Sequence, residues 1–170
     1  MNVNMFSPLF RSWVDRAANT IEYDSDDAAV VIADGGGEIR FYIRGGDGDA
    51  FALTRAERSE VERFVMSSGD LTDIERVLSV ELGGYVRERE GLAGLHIPGR
   101  VGEYAVGVAA REEDGLVSLL VGQRGPIRFV KLGPYRLQPD VQFSYFADAS
   151  VTEIIESAAS LSGGPLFSTW

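Results

Sequence analysis

Glu38-Ile39-Arg40-Phe41-Tyr42-Ile43-Arg44 decides the fold class. In an extended chain Ile39, Phe41 and Ile43 fall on one side and Arg40, Tyr42 and Arg44 on the other, the pattern of an antiparallel strand buried on one face. Gly35-Gly36-Gly37 precedes this stretch and Gly45-Gly46-Asp47-Gly48-Asp49 follows it, so its neighbours are reached through short connections. Short connections impose antiparallel pairing. Working outward, further strands are expected over 28–33, 51–55 and 61–66, and, past the middle of the chain, over 104–110, 116–121, 127–132 and 141–146. Asp114-Gly115 and Gly125-Pro126 supply turns in the later run.

Three segments have helical spacing instead. Ser7 as cap, Pro8 at the first helical position and a stripe of Phe10, Trp13, Val14 and Ala17 predict a helix over about 7–19. Asp70 as cap and a stripe of Leu71, Ile74, Val77, Leu78 and Leu82 predict a second over 71–82, with Gly83-Gly84 as its stop. Ser150 and Glu153 have the spacing of a capping box and open a third over 151–160, through Val151, Ile154, Ile155 and Ala158. Strands in runs with helices between the runs define an α+β chain of antiparallel sheets with about three helices. Residues 1–170 suit a single domain. A faint echo of 64–75 in 143–156 leaves open two similar β-meander-plus-helix halves, 20–90 and 100–162, sharing one core and joined through 90–102.

The composition argues for a binder over a catalyst. There is no cysteine and one histidine, His96, against 26 acids and 16 bases, so the groups on which most nucleophilic, metal-dependent and acid–base chemistry depends are scarce. No cofactor is expected. A formal charge of −10 repels nucleic acid and anionic lipid and steers the chain toward a basic partner. No apolar run approaches the length of a membrane span, and residues 1–20 lack a basic start followed by an apolar stretch. With cysteine absent as well, a cytoplasmic location is the expectation.

Individual motifs support no catalytic constellation. Asp24-Ser25-Asp26-Asp27 opens like a calcium loop but lacks the sixth-position glycine and the twelfth-position glutamate. The 45–49 run has no Lys-Ser/Thr after it, as a phosphate loop requires, and 35–37 lacks dinucleotide-binding spacing. His96 has no second histidine nearby and reads as an imidazole satisfied locally. Arg55, Arg58 and Arg63 have the means to clamp an anion, but Glu57, Glu60 and Glu62 interleave with them, so a self-paired surface is expected.

An ordered set of short motifs resembles the immunity protein 61 family, antitoxins of the tuberculosis necrotizing toxin type. The set comprises Gly37-Glu-Ile-Arg-Phe-Tyr-Ile-Arg44, Phe51-Ala-Leu-Thr-Arg-Ala-Glu-Arg58, Asp73-Ile-Glu-Arg76, Gly91-Leu92 with Pro98, Asp148-Ala-Ser-Val-Thr-Glu-Ile154 and Gly163-Gly-Pro-Leu-Phe167. Val77 follows the Glu75-Arg76 pair where an aromatic residue is common in the family. The resemblance implies an intracellular inhibitor, not an enzyme, that binds a secreted NAD-glycohydrolase toxin domain and blocks its NAD site; the expected form is a monomer joined one-to-one to its toxin. A site that holds the pyrophosphate of NAD presents cations or oriented amides, which anionic loops complement. Three loops qualify on that ground: Ser67-Ser68-Gly69-Asp70 ahead of the middle helix, the hairpin loop with Asp47 and Asp49, and the loop with Asp24 and Asp26. The competing reading is a secretion or folding chaperone, which would show an exposed apolar groove and bind a partner segment.

Overall fold

The structure, a computed structural model, describes residues 1–46 and 50–170. A 3₁₀ turn at Val3–Met5 leads into α1 (Pro8–Arg16). A meander of five strands follows: β1 (Asn19–Asp24), β2 (Ala29–Asp34), β3 (Ile39–Gly45), β4 (Phe51–Glu57) and β5 (Arg63–Ser68). The long helix α2 (Leu71–Arg89) leads to β6 (Leu95–His96) and a second meander of β7 (Ala109–Glu113), β8 (Leu116–Leu120) and β9 (Ile127–Val130). Helices α3 (Pro139–Ser144) and α4 (Val151–Ala159) and the short β10 (Ser168–Thr169) complete the chain. The α+β class and antiparallel pairing are as the sequence predicts.

The two meanders form one sheet. Its eight strands run β1-β2-β3-β4-β5-β9-β8-β7, all antiparallel, with β5 beside β9 at the seam. Val30, Ile43, Leu53, Met66, Phe129 and Val117 stand side by side in register across this sheet, each buried. Helix α1 packs on β1, α2 on β4 and β5, and α3 on β8 and β9, and their buried side chains join this row in one core. The opposite face of the sheet has no helix on it among the described residues.

Four sequence expectations are corrected. Residues 141–146 are not a strand. Pro139 takes the first helical position and Asp140 the first turn of α3, and both favour a helix start over the apolar alternation of Val141 and Phe143. Phe143 still reaches the core, 5.2 Å from the ring of Phe129. The echo between 64–75 and 143–156 therefore matches a strand with a helix, although a meander followed by helices does occur twice. The Gly83-Gly84 pair does not stop α2, which runs on to Arg89 and ends where Gly91 takes φ +68. A side chain at Gly83 would come within 2.9 Å of the Ala158 Cβ, so this glycine lets α2 and α4 approach closely. One turn later Arg87, 1% exposed, donates to the carbonyls of Ala158 at 2.8 Å and Ser160 at 2.6 Å, tying the two helices together. Residues 104–108 are not extended: Tyr104 instead donates its hydroxyl to Asp140 Oδ2 at 2.5 Å, and strand β7 begins at Ala109. Finally α1 stops at Arg16, Ala18 takes φ +57, and β1 begins at Asn19, a strand that the helix prediction over 7–19 displaced.

Candidate functional site: the acidic end of the sheet

Because the strands alternate in direction, connections alternate between the two ends of the sheet. The β1–β2 turn, the β3–β4 hairpin, the β5–α2 turn and the β8–β9 loop all fall at one end. Of the loops chosen from the sequence, those at 24–27 and 67–70 therefore share one edge. Asp47 and Asp49 lie outside the described residues, and their flanks Gly46 and Ala50 are bonded to each other at this edge.

Each chosen residue has a local physical role. Asp24 Oδ1 accepts from the backbone N–H of Asp26 at 2.9 Å and of Asp27 at 3.3 Å, an Asx turn that reverses the chain between β1 and β2. Asp26 is exposed at its tip. Ser67 is a strand residue, paired with Ala52 and Arg128, and does not belong to the turn. Ser68 is buried: its hydroxyl donates to Asp73 Oδ2 at 2.7 Å and accepts from the Asp70 N–H at 3.1 Å, so it shapes the turn from beneath. Gly69 is exposed, with no atom within 4 Å of where a Cβ would stand. Asp70 is exposed and caps α2 by accepting from the Thr72 N–H at 2.9 Å.

Beneath this turn lies an ionic hub that sequence reasoning missed. Asp73, 1% exposed, receives Arg76 Nη1 and Arg124 Nη1, each at 2.8 Å, on the same oxygen. Arg76 also donates to the Ala149 carbonyl at 2.7 Å, and Arg124 to the Ala147 carbonyl at 2.9 Å and to Asp148 at 3.2 Å. One buried carboxylate thus joins the β5–α2 turn, the β8–β9 loop and the α3–α4 connection. A cleft of about 300 Å³ separates the first two, lined by Ser68, Gly69, Asp70, Asp73, Arg124 and Gly125. The Asp73 to Arg76 spacing, one helical turn, was the available signal; Arg124 sits in an aperiodic loop and gave none. Glu75, between them, accepts from the Ser7 N–H at 2.7 Å and hydroxyl at 3.1 Å, and burial pushes its carboxyl above the usual glutamate range.

The other sequence candidates are separate from this edge. Arg58 pairs with Glu38 at 3.5 Å, Arg63 with Glu60 at 2.7 Å, and Arg55 with Glu57 at 2.9 Å, so the three arginines form no common clamp. His96 Nδ1 lies 3.2 Å from the Ser168 hydroxyl and its ring meets Trp170 edge-on at 4.3 Å. Among the described residues no three His, Asp or Glu side chains are grouped to hold a metal ion.

An antiparallel α+β scaffold that gathers anionic loops at one rigid edge has the form of a protein-binding module. The immunity protein 61 family matches residues 13–166, and the chain belongs to that family. It is 27% identical over 154 residues to the immunity factor for TNT of Mycobacterium tuberculosis (strain ATCC 25618 / H37Rv), covering 86% of this chain and 82% of that one. The immunity factor for TNT homolog of Mycobacterium bovis (strain BCG / Pasteur 1173P2) matches to the same extent. The solved structure of Rv3902c from M. tuberculosis superposes with a TM-score of 0.81 at 20% identity, over 100% of this chain and 98% of the other, which establishes the shared fold.

Proposed function

We propose that this chain is a non-catalytic antitoxin that docks its acidic end on a secreted NAD-glycohydrolase toxin domain and blocks the NAD-binding site. Membership of an immunity protein family supports a toxin as partner, and the relatives named as immunity factors for TNT suggest its kind. The observation that carries the choice of surface is the charge at the acidic end. Asp24, Asp26, Asp27 and Asp70 stand there with no basic side chain paired to them among the described residues, on turns held rigidly by the sheet and by the Asp73 hub. Preorganised anions at a rim raise the on-rate toward a cationic cleft and set register. Gly69 leaves the backbone of the turn bare for close approach, with Asp70 beside it. The proposed complex is one-to-one, and the proposed location of the protein is the cytoplasm.

Co-expression with a candidate NAD-glycohydrolase domain tests the function: cellular NAD and growth recover if the chain is the antitoxin, and stay lost if it is not. Gly69→Trp tests the surface. The added side chain starts in open space, so the variant folds, and its toxin affinity falls if the turn enters the cleft.

A further inference from the structure

One register position from the buried row, on the face without helices, Arg44, Ala52, Ser67, Arg128, Ser118 and Arg111 stand side by side across six strands. Adjacent positions along a strand point to opposite faces, so this row looks away from the core. Three arginines separated only by small side chains make an arginine stripe on a protein whose formal charge is −10; Arg44 already faces Glu62 and Arg111 faces Glu113, and Arg128 faces no carboxylate among the described residues. Arg128 and Arg111 are exposed, and the Arg128 side chain makes neither hydrogen bond nor ion pair among the described residues. Arg111 lies 3.8 Å from Glu113, both exposed.

The chain itself shows what such a stripe receives. At one end of the row Glu62 folds over the open face, and its carboxylate takes Arg44 at 2.6 and 3.0 Å and the Thr54 hydroxyl at 2.5 Å. The Arg44 pairing holds the Glu62 carboxyl below the usual glutamate range. A carboxylate is thus already seated at Arg44, while Arg128 has none.

We infer that the open face is a second docking surface, and that it takes an extended acidic segment of a partner protein laid across the strands along this row. At about 4.8 Å per strand the arginines stand about 10 Å and about 14 Å apart, lengths that about three and about four residues of an extended segment span, with glycines between the acids free to turn each carboxylate toward the sheet. The small residues between the arginines leave room for the peptide backbone. A long polyanion such as nucleic acid fits poorly, because its charge continues past the row and a chain of formal charge −10 repels it more strongly than a segment of three carboxylates.

The test uses the full chain and a fluorescein-labelled peptide, Glu-Gly-Gly-Glu-Gly-Gly-Gly-Glu, titrated by anisotropy at low ionic strength, with the glutamine version as control. The acidic peptide is expected to bind and the control not to. Arg111→Glu with Arg128→Glu should weaken binding by about ten-fold or more, and Glu62→Gln, which frees Arg44, should strengthen it by about three-fold. Both arginines are exposed, so circular dichroism should show an unchanged fold; Arg111→Gln with Arg128→Gln gives a milder second reading. Absence of peptide binding, or binding unaffected by either arginine pair, overturns the inference. So does tighter binding of a single-stranded DNA octamer than of the peptide. Self-association at the same ionic strength that is lost in Arg128→Glu also overturns it, since the occupant would then be a second copy of this chain.

Discussion

At one end of the eight-stranded sheet Glu38, Glu57, Glu60, Glu112 and Glu113 are each paired with an arginine or lysine, and all of these pairs are solvent-exposed or nearly so. At the other end Asp24, Asp26, Asp27 and Asp70 have no such partner among the described residues, and the pairing that does occur is buried beneath them, at Asp73. The first end neutralises most of its carboxylates locally, with only Asp34 and Asp114 unpaired there among the described residues. The second keeps its anions free and places its arginines where they hold loops together. Net charge alone says that this chain is acidic; the contrast between the ends is what favours the proposed docking surface.

The largest expected effect that separates the ends is at the hub. Asp73→Ala leaves Arg76 and Arg124 without their shared carboxylate and should destabilise the protein by about 3–5 kcal/mol, read by denaturant unfolding. The matching change at the paired end, Glu60→Ala, removes an exposed pair with Arg63 and should cost under about 1 kcal/mol, diminishing with salt. Comparable losses at the two sites would break the comparison.

Close behind comes the junction that supports both ends. Ile74→Ala or Ile154→Ala, each at a fully buried site, should cost about 2–5 kcal/mol. Gly83→Val, crowding Ala158, should cost about 1–3 kcal/mol in thermal or denaturant melts. An unchanged melt for Gly83→Val would mean that α2 and α4 are not in the contact described.

The hub and the strands differ in how readily sequence discloses them. Phe41 and Ile43 announced β3 because burial on one face imposes a period of two, and Ser150 with Glu153 announced α4 because both halves of the capping box are local; the Ser150 hydroxyl does accept from the Glu153 N–H at 3.1 Å. Gly83 misled because a glycine that stops a helix and one that admits a neighbouring helix look alike in one dimension. Residues 141–146 misled because a short buried helix shows too few turns to reveal its period, leaving Pro139 as the better guide. The candidate loops were legible as anionic turns, yet their convergence at one end depends on strand order. Arg124 was invisible for the same reason: its partner Asp73 is 51 residues away.

A smaller effect concerns pH at the open face. Glu62 has its carboxyl lowered chiefly by the Arg44 hydrogen bonds, so the unfolded chain binds this proton more readily than the folded one. Its contribution to stability is full above the ordinary glutamate range and is lost as pH falls through the lowered value. Wild type should therefore lose stability on acidification relative to Glu62→Gln. Glu75 shifts the other way through burial, so its contribution declines as pH rises above the ordinary range. Unfolding curves of wild type and Glu62→Gln that stay parallel across acidic pH would remove Arg44–Glu62 from this account.

The central claim, that the acidic end faces the toxin, is tested most directly by association kinetics of two triple variants of equal net charge against a purified NAD-glycohydrolase toxin domain that the wild type binds. Asp24→Asn, Asp26→Asn and Asp70→Asn together neutralise the acidic end while keeping the Asx turn and the helix cap, both of which asparagine supports. Glu38→Gln, Glu60→Gln and Glu113→Gln neutralise the paired end by the same amount. The first variant should associate more slowly and with a shallower salt dependence, and the second should stay close to wild type. Equal slowing in both, or slowing only in the second, would contradict it.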